Sequence, residues 1–255
     1  MCSPQPLKRL IVNADDLGRT PGINTGIFEA HERGLVTSAT LMVGFPSAEE
    51  AAGTWLRTPG IGVGLHVALT GGRPLSAAGD VPSLVDEEGR FPAKPEGLSR
   101  ARSDEVMAEV EAQLERFRVL TGRLPTHLDS HHHSHRLPVV RDALVSLAKR
   151  YGLPVRKASA EVGEHLDREG IATSSVFIES FFGDEARLEV LLRILETLTP
   201  GTTELMCHPA RVDEALRRNS SYVDEREREL AALTHPEAIR TVREHKIFLT
   251  HFGEL

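Results

Sequence analysis

Along this chain, short apolar runs rich in β-branched residues alternate with longer stretches whose apolar residues recur at helical spacing, and this alternation restricts the fold more than any other feature. Leu10-Ile11-Val12 reads as a buried strand running into Asn13-Ala14-Asp15-Asp16-Leu17-Gly18; Pro21 and Gly22 then open a helix through Ile23, Ile27 and Ala30 that Gly34 stops. Residues 37–43 read as a second strand, 47–57 as a helix, and 61–69 as a third strand carrying His66. Beyond Leu98 comes a helix with Ser103 as N-cap and Val106, Val110, Leu114, Phe117 and Leu120 on one face, closed by Gly122. A short strand at 126–128, a helix from Pro138 to Tyr151 ended by Gly152, and a brief strand at 153–156 follow. Residues 157–183 carry no assignable period. A helix over 184–198, a strand at 203–207, helical segments at 224–233 and 236–244 and a last strand at 247–250 complete the order. Repeated β-then-α order demands a mainly parallel sheet, and about seven strands predict an α/β barrel or barrel-like fold, with a doubly wound open sheet as the alternative.

The length of 255 residues suits one such domain over 1–255. Residues 70–98, rich in Gly and Pro, form an irregular excursion after the strand bearing His66, and a substrate-covering loop is expected there rather than a linker. Acidic residues outnumber basic ones by 37 to 30 and no Lys/Arg stripe forms, so nucleic acid is not an expected partner. Cys2 and Cys207 build no disulfide framework, the first ten residues have no apolar core and no apolar run reaches the ~20 residues of a membrane span. A cytoplasmic protein with no membrane span is expected; whether it forms a homo-oligomer is left open.

Polar residues gather where the strands end. Asp15 and Asp16 follow the first strand, His66 lies towards the end of the third, His131 follows the strand at 126–128, Arg156 ends the next, and His208 follows Cys207. In parallel α/β folds those ends share one face, where active sites are built. Five histidines and Asp129 crowd residues 126–135, and as a strand this stretch would align Asp129, His131 and His133 on one side, a geometry suited to a divalent metal. Taken singly, each residue has a plainer role: an Asp as helix N-cap, His66 as a hydrogen-bonded core residue, Arg156 as a surface arginine, His208 as a loop residue before proline. Their common position at strand ends favours a site. His127, His135, His165, His235, His245 and His251 lack that support and are expected to be structural or solvated, and Cys207 to be a small core residue.

The runs Ile11-Val12-Asn13-Ala14-Asp15-Asp16-Leu17-Gly18, Gly62-Val63-Gly64-Leu65-His66, Pro125-Thr126-His127-Leu128-Asp129-Ser130-His131-His132-His133 and Thr203-Glu204-Leu205-Met206-Cys207-His208-Pro209 together resemble the YdjC-type carbohydrate deacetylases, which include chitooligosaccharide deacetylases and hopanoid-associated relatives. Leu17 stands where that family often has Phe, and Ser134 where it often has Val. The resemblance implies a distorted, NodB-like (βα) barrel that hydrolyses the N-acetyl group of an N-acetylated sugar with one divalent metal ion, Mg²⁺ or Zn²⁺. It implies Asp16, His66 and His131 as metal ligands and Asp15 as general base. The related NodB-type deacetylases suggest His208 as general acid and Arg156 as the group orienting Asp15, while Asp129 and His133 become supporting or substrate-facing groups. Alternatives are another metallohydrolase on the same scaffold, a phosphoesterase or amidohydrolase, and a non-catalytic sugar-binding barrel. Phe45, Phe91 and Tyr222 are candidates for stacking on a sugar ring.

Overall fold

The computed structural model describes residues 7–255; Cys2 lies outside the described residues. β1 (Lys8–Leu17) is the spine of a seven-stranded parallel sheet, and residues 10–17 are buried without interruption, as in a strand covered on both faces. On one side β1 pairs with β6 (Gly201–Cys207), from Lys8 opposite Gly201 to Ala14 opposite Cys207. On its other side β7 (Ile247–Leu249) covers Lys8, Arg9 and Leu10, and β2 (Ser38–Leu41) takes over from Asn13. β3 (Gly62–Val67) and β4 (Leu128–Ser130) extend the sheet beyond β2, and β5 (Val176–Ile178) flanks β6. The remaining gap is spanned by irregular chain: Val155 bridges Leu128, and its N–H donates to the Ala172 carbonyl. The sheet is thus a distorted barrel of parallel strands.

The helices are α1 (Pro21–Arg33), α2 (Ala48–Trp55), α3 (Ser103–Thr121), α4 (Pro138–Tyr151), α5 (Ala160–Arg168), α6 (Leu188–Thr197), α7 (Glu214–Asn219), α8 (Asp224–Leu233) and α9 (Pro236–Glu244). Local chemistry sets several of their ends. The Thr20 hydroxyl caps α1 by accepting the Ile23 N–H, and Gly122 and Gly152 close α3 and α4 in left-handed conformations.

Several sequence expectations need correction. Asp15 and Asp16 lie within β1 rather than after it, because the strand continues between β6 and β2. Arg102, not Ser103, occupies the N-cap of α3, with no side-chain cap bond. Segment 153–156 makes one bridge and no strand, whereas 157–183 contains α5 and β5. α6 begins at Leu188 after a 3-10 turn at Gly183–Glu185, and α7 was not foreseen. The histidine stretch does not continue as a strand: β4 stops at Ser130 and the chain turns into a 3-10 helix over His131–Arg136, with His132 and His133 at positive φ. Strand alternation therefore does not apply to Asp129, His131 and His133.

The 70–98 excursion is pinned to α3. Glu109 accepts the backbone N–H groups of Leu75 and Ser76 at 3.0 and 2.9 Å, Glu105 accepts that of Ser83 at 2.7 Å, and Gln113 bonds both the N–H and the carbonyl of Ala68. α3 in turn packs Phe117 against Trp55 of α2, ring centroids 5.8 Å apart.

Gly64 of β3 leaves room for the His127 ring, which stacks on Phe252 at 3.9 Å; a Cβ at Gly64 would stand 2.5 Å from that ring. Gly64→Ala is expected to lower stability by about 1–3 kcal/mol through overpacking, measured by urea unfolding.

Candidate active site

The site begins with an irregularity in β1. The register against β2 slips between Ala14 and Leu17, and Asp16 has φ +70°, a left-handed conformation uncommon for a residue with a side chain. Adjacent residues of a regular strand face opposite sides. Here both Asp15 and Asp16, 3% and 1% exposed, line the same cleft.

Asp15 is gripped by Arg156. Both terminal guanidinium nitrogens stand 2.7 Å from its carboxylate oxygens, and Asn13 Nδ2 donates to Oδ1 at 2.9 Å. Arg156 is fully buried; its Nη1 also lies 2.7 Å from Asp129 Oδ2, and its Nε donates to Glu204 Oε1 at 2.7 Å. Burial opposes ionisation of Asp15, but the charge and hydrogen bonds of Arg156, with His66 and His208 nearby, outweigh it and hold the carboxyl far below the ordinary range. Glu204 shares that cation with two other carboxylates, and burial pushes it up to about 7.

Asp129 lies wholly inside the protein rather than facing substrate. Its Oδ1 is 2.7 Å from His66 Nδ1, and its Oδ2 accepts the Thr40 hydroxyl at 3.2 Å. With Nδ1–H donated to Asp129, the free electron pair of His66 lies on Nε2, 3.6 Å from Asp16 Oδ1. Burial disfavours charge on His66, yet Asp129, Asp15 and Asp16 together raise its pKa.

The 3-10 turn after β4 brings His131 Nδ1 to 3.1 Å from Asp16 Oδ1. Ligand atoms of Asp16, His66 and His131 all lie within 4.8 Å of one another. Asp16 Oδ2 is taken by Arg226 at 2.5 Å, whereas the buried Oδ1 has no aligned hydrogen-bond donor despite the two imidazoles beside it. An acceptor facing two ring nitrogens without an aligned proton donor fits a cation, and this donor set could hold a divalent metal. A second group, Asp15, His66 and Asp129, is as compact, but its carboxylates are already engaged by Arg156 and its imidazole by Asp129.

His133 does not join these groups: its Nε2 lies 3.4 Å from Glu179 and its ring edge meets Phe177. His208, after β6, donates its backbone N–H to Glu229 and sets its ring against Phe182 and Tyr222; burial and Arg226 press its pKa down to about 4. Asp15, Asp16, His66, His131 and His208 thus line one cleft of about 910 Å³, while Arg156 and Asp129 lie behind it. His133 and His132 form part of its wall, Lys94 and Glu96 of the excursion part of its rim.

Sequence reasoning missed Glu204, Phe182, Arg226 and Glu229. Glu204 is hidden in an apolar strand, and Arg226 and Glu229 sit in a segment so charged that it reads as a solvated helix face, yet both are buried. Phe182 stacks on Tyr222 at 4.1 Å and is 45% exposed, an aromatic wall for the cleft. Of the three stacking candidates only Tyr222 lines the cleft: Phe91 is buried, and Phe45 packs against Gly72.

A family model described as YdjC-like protein matches residues 9–244. A carbohydrate deacetylase of Geobacillus stearothermophilus is 44% identical over 245 residues, covering 96% of each chain. A chitooligosaccharide deacetylase of Yersinia pestis (strain Pestoides F) is 39% identical over 236 residues, covering 90% of this chain and 92% of its own. A crystal structure of a protein from Enterococcus faecalis V583 superposes with a TM-score of 0.92 at 34% identity, covering 97% of this chain and 98% of that one.

His135 illustrates the cost of burying imidazoles. It accepts from Ser130 Oγ on Nδ1 and donates Nε2–H to the Arg156 carbonyl, and burial holds its pKa down to about 3. An unfolded histidine titrates near 6.5. Below that pH the unfolded chain takes up a proton that the fold refuses, so this contribution to stability falls as pH falls. Between pH 7 and 5, His135→Gln is expected to lose about 2 kcal/mol less stability than the wild type, read from urea midpoints at each pH.

Proposed function

The chain belongs to the YdjC-like family, and on that premise we propose that it is a metal-dependent carbohydrate N-deacetylase, hydrolysing the linear amide of an N-acetylated sugar of the chito-oligosaccharide kind and releasing acetate. The observation that carries this reading is one cleft in which an Asp-His-His cluster, a separate ionised Asp15 and an imidazole, His208, converge. Amide hydrolysis needs a polarised carbonyl, an activated water and a proton for the departing amine. A divalent cation held by Asp16, His66 and His131 would supply Lewis acidity towards the acetyl oxygen and acidify water beside it; two imidazoles and a carboxylate suit Zn²⁺, with Mg²⁺ the alternative.

The protein's own groups do the rest. Asp15, kept ionised and in one rotamer by Arg156, takes the proton of the attacking water. Asp129 fixes the His66 tautomer, and Arg226 occupies one oxygen of Asp16 so that the other faces the imidazoles. His208 delivers a proton to the leaving nitrogen. The Phe182–Tyr222 stack receives the apolar face of the sugar ring. A phosphoesterase is less well supported, because Arg19 and Arg226 at the cleft are paired with Asp16 and Arg156 with Asp15. A non-catalytic barrel leaves the Arg156-held Asp15 without a purpose. A cytoplasmic setting belongs to the same proposal, in keeping with Cys207 as a free buried thiol.

Acetate release from N,N′-diacetylchitobiose and longer oligomers, with and without chelator, tests the activity. The wild type is expected to release acetate only with metal. Asp15→Asn is expected to lose about 10²–10⁴-fold in kcat while keeping its metal, whereas His66→Ala and His131→Ala lose metal by elemental analysis. Equal metal loss in all three variants contradicts the division of roles, and no acetate from any N-acetyl sugar ends the deacetylase reading.

A further inference from the structure

Glu204 is a fully buried carboxylate to which the chemistry of the cleft gives no task. It sits in β6 with Ile11 of β1 and Phe177 of β5 opposite it in register, a place where an apolar side chain would pack. Arg156 does not need it for neutrality, since Asp15 and Asp129 already face that cation at 2.7 Å. A third carboxylate on one guanidinium adds a surplus buried charge, and its Oε2, also buried, has no hydrogen-bond partner. Its Oε1, however, accepts from Arg156 Nε at 2.7 Å, while Nη1 and Nη2 of the same planar fork grip the two oxygens of Asp15. Phe177 lies against the guanidinium, its ring centroid 5.3 Å from Cζ. Held at Nε, the fork cannot turn about its Cδ–Nε bond, so its far edge stays aimed at Asp15.

We propose that Glu204 is a positioning residue for the general base: it fixes the guanidinium plane through Nε and draws part of the Arg156 charge away from Asp15, so that this carboxylate keeps the basicity its task requires. The inference rests on the reading of Asp15 as the group that takes the proton of the attacking water. In that step a water O–H bond breaks, the proton passes to an Asp15 oxygen, and the water oxygen's electron pair forms the bond to the acetyl carbon. A carboxylate paired with an undivided positive charge accepts a proton reluctantly; one that shares the cation with two others accepts it more readily. Arg156 thus keeps Asp15 ionised and in place, and Glu204 limits the loss of basicity that this grip entails. Burial makes the arrangement responsive to pH: it pushes Glu204 up to about 7, with Asp15 and Asp129 adding to the rise and Arg156 opposing it. The Cys207 thiol, further along β6, also feels the Glu204 charge. Asp15 stays ionised on either side of that pH; what changes is how much of the guanidinium's charge it faces.

The test compares the wild type with Glu204→Gln, whose amide oxygen still accepts from Arg156 Nε but carries no charge, both Zn²⁺-loaded and assayed on N,N′-diacetylchitobiose across pH. Wild-type Glu204 is protonated at pH about 5.5 and ionised at about 8.5, so the two kcat values are expected to be close at the lower pH and about 10-fold apart at the higher. KM and bound metal are expected to be unchanged, and a role confined to packing would lower kcat alike at both pH values. In ¹⁵N NMR the Arg156 Nε–H signal, assigned through its own backbone, is expected to shift through neutral pH in the wild type and to stay still in Glu204→Gln. A kcat ratio that does not grow with pH overturns the proposal, as does an Nε–H signal that does not titrate in the wild type. Should Glu204→Gln not fold, the wild-type Nε–H signal decides. Failure of the deacetylase reading shows separately, as absent acetate release from the wild type, since the Nε–H titration needs no substrate.

Discussion

The guanidinium of Arg156 is the interaction on which the rest of the site depends. It is fully buried, and one positive charge faces Asp15, Asp129 and Glu204, each at 2.7 Å. Burying ions is costly unless they are paired and fully hydrogen-bonded, and removing one partner of such a set typically costs about 3–5 kcal/mol. One cation among three carboxylates leaves the barrel centre with a surplus of negative potential, which raises the His66 pKa and gives a reason for a cation to be welcome beside Asp16. The arginine is itself held by the backbone that closes the barrel: its N–H donates to the Leu128 carbonyl, and its carbonyl accepts from His135. Barrel closure and the electrostatics of the cleft are therefore one structural problem.

Much of the fold was legible because its signals are local. α1 and α4 announce themselves by Pro at their starts and glycine after their ends, and β6 by its apolar run. What escaped depends on partners distant in sequence. Nothing near residues 153–156 says that Val155 will meet Leu128 in a single bridge, and nothing near Asp15 and Asp16 says that a strand will carry two carboxylates inward. The alternation rule failed at His131 because the chain leaves the sheet after Ser130, with two successive residues, His132 and His133, in the left-handed region, which is uncommon for residues with a side chain.

The candidate site was legible as a set of strand-end residues and illegible in its support. Asp16, His66 and His131 stand out as residue types that a core does not need, and the chain brings them together. Glu204 is surrounded in sequence by residues that belong in a core, and Arg226 and Glu229 by others that belong in water. Their burial follows from α8 packing against α1 and α6, and three-dimensional neighbours such as Asp16 and His208 make charge there tolerable. Sequence identifies groups that react more readily than groups that hold them still.

The attachment of the excursion to α3 bears on how such a cleft could diverge. The rim around Lys94 and Glu96 belongs to a segment whose Leu75, Ser76 and Ser83 amides hang from Glu109 and Glu105 of α3, while Gln113 holds Ala68 just before it. The mouth is therefore only as wide as the seat of that helix allows, and its seat is set by contacts such as Phe117 on Trp55, which do not line the cleft. A buried residue beneath α3 thus acts on residues 75, 76 and 83 through Glu105 and Glu109 without touching the cleft. Two proteins with every reacting residue in common can thus part ways in substrate range through substitutions in a layer that no ligand ever meets.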